Sequence, residues 1–238
     1  MTREYSNLEK EMKIQIKRKV KSDPHAYQLF ERKQYDRANV NTMFFLDLSY
    51  NQLTGAIPES LGKLTFASYI RLHVNFLTGS IPATLGALTY LQSLRLRGNG
   101  ISGTLPETLG NLTNLEYLFV GSNSINGKLP ESFANLASLS VFDVTGNYLS
   151  GHLPDFITNW TSIDKLLLNG NNFHGKIPAG IFNLSDLKTL AISDVGDSHF
   201  QFPPSTNVTS LYTLILRNCS ITGQLPSYIG NMSSLANL

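Results

Sequence analysis

The sequence predicts a solenoid, a fold made by stacking one short unit on itself, and three observations predict it. Asparagine recurs every 24 residues at Asn51, Asn75, Asn99, Asn123, Asn147 and Asn171. Glycine keeps the same step from Gly55 to Gly175, and proline keeps it from Pro58 to Pro178. Three unlike residue types locked to one period mean stacked turns of chain.

Within the third repeat, apolar residues fall at Leu91, Leu94, Leu96, Ile101, Leu105, Leu109 and Leu112. The Leu94-x-Leu96 pair has the two-residue period of a strand. Leu94 and Leu96 therefore point inward, and Ser93, Arg95 and Arg97 point to the other face. From Ile101 onward Gly and Pro turn the chain back instead of extending a helix. One turn is too small to bury its own apolar side, so contacts between repeats carry the fold, at roughly 1.5–3 kcal/mol per buried Leu or Ile. The periodic Asn would send its amide to backbone groups of its own and the neighbouring turn. Gly fits where φ is positive, and Pro fits an extended edge that needs no donor.

Residues 1–40 stand outside the repeat. Leu8, Met12, Ile16 and Val20 lie four apart, and Ser22-Asp23-Pro24 reads as a helix start before Ala26, Leu29 and Phe30. Two short helices would cover the end of the solenoid, with an unfolded tail as the alternative. Six regular repeats follow, from about Thr42 to Leu184. In the seventh, Val195 replaces Asn, His199 replaces Gly and Phe202 falls at the Pro step. Asp197, Gln201 and Ser205 bring polar groups to inward steps there, and Phe200 and Phe202 are expected to fill that space instead. The eighth repeat recovers with Leu214-x-Leu216, Gly223 and Pro226. The chain thus divides into a non-repeat segment, 1–40, and a repeat domain, 41–238, of about eight repeats plus a truncated ninth. It reads as a fragment or a truncated gene model.

Formal net charge is +2 over 238 residues, which points to no particular partner class. Residues 1–40 carry 10 Lys/Arg and 6 Asp/Glu; a basic tail suggests nucleic acid or membrane, but the acidic residues dilute that signal here, and the segment reads as solvated. The lone cysteine, Cys219, excludes an intrachain disulfide and takes the ladder position one period after Val195. No signal-like leader and no apolar run of transmembrane length is visible. Kinase, P-loop and G-x-S-x-G signatures are absent, and the five histidines are scattered without ligand pairing, so no catalysis, cofactor or metal is expected.

The segment Leu46-Asp47-Leu48-Ser49-Tyr50-Asn51-Gln52-Leu53-Thr54-Gly55-Ala56-Ile57-Pro58 resembles the leucine-rich repeat in its plant extracellular form, L-x-x-L-x-x-L-x-L-x-x-N-x-L-x-G-x-I-P-x-x-L-G-x. The resemblance covers Asn41 to Leu238. It implies a leucine-rich-repeat solenoid of 24-residue plant-type repeats, a curved right-handed superhelix with one parallel β-sheet on the concave face. Phe156-Ile157-Thr158-Asn159-Trp160-Thr161, Leu190-Ala191-Ile192-Ser193-Asp194, Phe202-Pro203 and Leu216-Arg217-Asn218-Cys219 look like the plant receptor-like serine/threonine kinases that join these repeats to a malectin-like domain. That resemblance implies the extracellular side of the plasma membrane, a peptide or protein ligand, and a co-receptor kinase as a further partner. The alternatives are a secreted inhibitor of microbial wall-degrading enzymes and a nonfunctional truncated product.

The 24-residue step also sorts the outward columns of the sheet. Arg71, His73, Arg95 and Arg97 cluster on adjacent turns beside Tyr69, Tyr117 and Phe119, with Asp143 and Lys165 further along. Arg binds carboxylates bidentately and aromatics anchor interfaces, so these residues are the candidate ligand site. Related peptide receptors use an Arg-x-Arg pair for a carboxylate, and Arg95-Leu96-Arg97 has that form. N-x-S/T sequons at Asn111, Asn159, Asn183, Asn207, Asn218 and Asn231 are glycosylation candidates.

Overall fold

A computed structural model describes residues 44–206 and 208–237. The expected non-repeat segment, 1–40, lies outside the described residues, and so does the sequon residue Asn207. The strand predicted in each repeat forms, and these strands stack into one long parallel sheet. They are β1 Phe44–Asp47, β3 Ala67–Arg71, β5 Ser93–Arg95, β7 Tyr117–Phe119, β9 Val141–Asp143, β11 Lys165–Leu167, β13 Thr189–Ser193 and β14 Thr213–Arg217, hydrogen-bonded in that order. Register follows the repeat, so Tyr69, Ser93, Tyr117, Val141, Lys165, Thr189 and Thr213 form one column across the sheet.

After each strand the chain turns at the Asn step. Asn123 shows why that residue type recurs. Its Nδ2 donates to the carbonyl of Val120 in its own turn at 2.9 Å and to that of Leu96 in the preceding turn at 3.1 Å. Its Oδ1 accepts the Ile101 N–H at 3.0 Å. Asn75, Asn99, Asn147 and Asn171 repeat this pattern. Val195 cannot. The ladder resumes at Cys219, whose thiol reaches the Ile192 carbonyl at 3.6 Å.

The returning half of the first six repeats differs from the expectation. Besides turning back, it forms short parallel strands of its own: β2 Thr54–Ala56 with β4 Phe76–Thr78, and a second group of β6 Ser102–Thr104, β8 Ser124–Gly127, β10 Tyr148–His152 and β12 Asn172–His174. Most are only three residues long, and several carry the periodic Gly at positive φ, such as Gly55 at 85°. Glycine depletes the strand signal and reads as a turn, which hid these elements. The periodic Pro then leads into a 3₁₀ turn. Pro82 lies at φ −65°, and its carbonyl accepts the Leu85 N–H at 3.1 Å. Successive 3₁₀ turns stack so closely that a Cβ on Gly86 would stand 2.3 Å from the Thr108 carbonyl oxygen.

The core runs unbroken along the stack, and Leu91, Leu94, Leu96, Ile101, Leu105, Leu109 and Leu112 are all buried as expected. In the seventh repeat Phe200 is buried and stacks on Phe182 at 5.8 Å, while Asp197, Gln201 and Ser205 stay exposed. The aromatic side chains thus fill the space that the polar residues avoid. Ser93 keeps the outward side, as expected, but it is buried there beneath Arg95, whose Nε donates to its Oγ at 3.3 Å.

Two substitutions test the stacking. Asn123→Ala leaves the Ile101 N–H without its acceptor and takes one of two amide donors from each of the Leu96 and Val120 carbonyls, so denaturant unfolding should show a loss of roughly 1–3 kcal/mol. Gly86→Ala should shift the unfolding midpoint in the same direction, because the methyl group meets backbone and not a flexible side chain.

Candidate ligand-binding face

The face is built from sheet register. β3 and β5 set Arg71 directly opposite Arg95. Two residues further on, His73 and Arg97 repeat the juxtaposition, with the Val74 N–H bonded to the Arg97 carbonyl at 2.9 Å. Like charges opposed across strands repel, so each cation needs compensation. Arg71 has two partners: Asp47 Oδ2 at 3.4 Å and the Phe45 ring, whose centroid lies 4.8 Å from the guanidinium carbon. Arg97 has the carboxylate of Asp143 at 2.9 Å. Arg95 differs. It lies 4.8 Å over the Phe119 ring and bonds Ser93, and no carboxylate among the described residues is within ion-pair distance of it.

Aromatic side chains frame these cations. Phe45 packs on Tyr69 at 5.7 Å, and Tyr50 meets the His73 ring edge-on at 5.1 Å. Arg71 Nε and His73 Nδ1 are buried without a hydrogen-bond partner. Burial and the adjacent Arg71 pull the Arg95 guanidinium below its ordinary value, although a guanidinium remains charged. Burial likewise lowers His73. Arg95 and Arg71 add to that, and Asp47 opposes it. Burial alone would raise Asp47, but hydrogen bonds from Ser49 and the charge of Arg71 hold it below the ordinary carboxylate value.

The fold therefore brings together Tyr69, Arg71, His73, Arg95, Arg97, Tyr117 and Phe119. Lys165 is exposed on β11, in register with Val141 and Thr189, and takes no part in the cluster. Asp143 is a correction, because its side chain is fully buried and offers no free carboxylate. Sequence reasoning missed Phe45, Tyr50 and Ser93 as members of this site. Phe45 and Ser93 share the 24-residue column of Tyr69 and Tyr117, which could have found them, whereas Tyr50 lies in another column. The histidine reading is also corrected in one respect: register pairs His152 with His174, at 4.6 Å between ring centroids. No group of three or more His, Cys, Asp or Glu able to hold a metal ion occurs among the described residues. Cys219 is buried, and burial pushes its thiol pKa up, which suits a structural role.

Asn111, Asn159 and Asn183 each end a 3₁₀ turn, Asn231 follows the Ser227–Gly230 helix, and all four are exposed. Asn218 is exposed beside β14, and its Nδ2 donates to Asp194 at 2.9 Å. No helix among the described residues is long and apolar enough to cross a membrane.

Family profiles described as Leucine rich repeat match residues 89–149, 43–64 and 210–232. A comparison with curated proteins found no match. Among solved structures, the chain is similar to the ectodomain of the plant membrane receptor kinase GASSHO1/SCHENGEN3 from Arabidopsis thaliana, in complex with CASPARIAN STRIP INTEGRITY FACTOR 2. Identity is 34% and the TM-score 0.77, over 81% of this chain and 23% of that one. It is similar to the Arabidopsis receptor kinase HAESA ectodomain with an N-terminally extended IDA peptide hormone, at 34% identity and TM-score 0.78 over 82% and 33%. A chain of the BIR3–SERK2 complex from Arabidopsis thaliana is 31% identical, with TM-score 0.52 over 60% and 74%. The chain spans about a quarter to a third of the two receptor ectodomains it matches.

The electrostatics can be read at His73. In an NMR pH titration its imidazole should titrate below 6.5. Arg95→Gln should move the midpoint up, and Asp47→Asn should move it down. Because the folded imidazole gives up its proton more readily than the unfolded one, His73 stabilises the fold above its unfolded pKa, and that contribution is lost as pH falls through 6.5 toward the folded midpoint.

Proposed function

The chain is a leucine-rich-repeat solenoid, and from that premise we propose that it is a noncatalytic peptide- or protein-binding module, the ligand-recognition part of a plant receptor-like kinase in cell-surface signalling. The observation that carries the reading is a cluster of arginines on the open sheet face, framed by aromatic side chains, in which Arg95 has no carboxylate partner among the described residues. An extended partner laid across the strands would bring a carboxylate to Arg95 and stack on Tyr69, Tyr117 and Phe119. Arg71, His73 and Arg97 complete the basic surround, and Lys165 marks the far side of the same face.

The solved receptor ectodomains with peptide hormones support this reading, and one of them, HAESA with IDA, was also solved with the co-receptor SERK1. A co-receptor kinase is the second partner proposed here. The module would lie on the extracellular side of the plasma membrane, with the serine/threonine kinase in another part of the parent protein. The finer assignment, to receptors with a malectin-like domain, rests on the motif order from Phe156 to Cys219. The exposed sequon residues Asn111, Asn159, Asn183, Asn218 and Asn231, with Asn207, are proposed to carry glycans.

Two pools of random-sequence peptides, one ending in a free carboxylate and the other in an amide, provide the test. The immobilised chain should retain the acid pool in preference. Arg95→Glu should weaken that retention by about tenfold to a hundredfold, the range for a charged hydrogen-bonded contact. Unchanged retention would remove the basis for the site.

A further inference from the structure

Arg97 and Asp143 belong to repeats two apart, yet their charged groups meet at 2.9 Å. The column residue of the intervening repeat is Gly121. A Cβ there would stand 2.9 Å from Asp143 Oδ1 and 3.0 Å from the Thr145 carbonyl oxygen. The missing side chain at 121 thus leaves the gap in which this bridge sits. The Asp143 side chain is fully buried, and its Oδ1 also accepts the Thr145 N–H at 3.0 Å. A buried carboxylate stripped of its cation would be left uncompensated, so Arg97 is not readily given up to a ligand. Asp47 and Asp143 together answer two of the three guanidinium groups of the cluster, those of Arg71 and Arg97. One positive charge is left over, and it sits on Arg95.

We propose that Asp143 is a specificity-determining residue of this face: by holding Arg97 across the gap at Gly121, it limits the site to one negative charge, so the ligand presents a single carboxylate to Arg95 and not to a clamp of two arginines. The inference rests on the carboxylate-binding reading above and narrows it. A partner with one terminal or side-chain carboxylate fits. A dianionic group such as a phosphate monoester meets one free cation flanked by two carboxylates.

The arginine Nε–H signals of the ¹⁵N-labelled full chain, followed by NMR, test this with acetate as the monocarboxylate probe and pyrophosphate as the polyanion. In the unmodified protein acetate should move the Arg95 signal and leave that of Arg97 in place. Asp143→Asn should free Arg97, so that both signals respond and pyrophosphate binds about tenfold more tightly. The double variant Arg97→Gln with Asp143→Asn removes both charges together and guards against a merely destabilised single variant. It should lose the tenfold gain in pyrophosphate affinity, because the freed Arg97 guanidinium is what supplies that gain. If both arginine signals of the unmodified protein saturate together with acetate, the pair is a clamp and the inference falls while the carboxylate reading stands. The same holds if Asp143→Asn leaves pyrophosphate binding unchanged. If neither anion moves either signal in any of the three proteins, the carboxylate reading itself falls, and this inference with it.

Discussion

The structure depends on satisfying backbone polar groups that the tight repeat buries. Each turn leaves carbonyls and an N–H facing into the stack, where water does not reach them. The Asn side chain is the smallest group with two amide donors and a carbonyl acceptor, and it serves its own turn and the preceding one together. Asn171 shows the geometry: it donates to Val144 and Leu168, each at 3.0 Å, and accepts from Leu149 at 3.0 Å. Apolar burial supplies the drive to stack, but these amides set the spacing at which stacking succeeds.

That spacing is what makes a functional face possible. Because the register never slips between β3 and β14, residues 24 apart become neighbours across the sheet. Arg71 meets Arg95 for this reason alone, and the repulsion between them is the cost of a rigid scaffold. Phe45, Phe119, Asp47 and Asp143 absorb most of it through ring faces and ion pairs. The remainder is concentrated at Arg95. A flexible loop would relieve the same charge by moving away, whereas a strand in a parallel sheet holds it where a partner can find it.

Periodicity made the strands, the inward Leu positions and the cluster around Arg95 legible in the sequence, since each depends only on residues spaced 24 apart. The part played by Asp143 was not legible. It sits in an outward column, and only the missing side chain at Gly121 explains how Arg97 bridges to it. The burial of the outward Ser93 was hidden for a related reason: the neighbouring Arg95 folds back over it. The second set of strands escaped because glycine punctuates them. The His152–His174 pair escaped because those strands run at a 22-residue offset, outside the main period.

The interruption of the ladder at Val195 gives the stack a mechanical seam. On either side, neighbouring turns are tied by directional bonds, through Asn171 on one flank and the Cys219 thiol on the other. At the seam itself the backbone ladder of β11 and β13 continues, but the side-chain amide tie gives way to the packing of Phe182, Phe200 and Phe202. Aromatic contacts are indifferent to small sliding, whereas an amide bonded at three points is not. Under tension along its axis the solenoid would yield first there, as a rod with one softer joint. Bending would collect between the sixth and seventh turns, leaving the basic cluster undistorted at the far end.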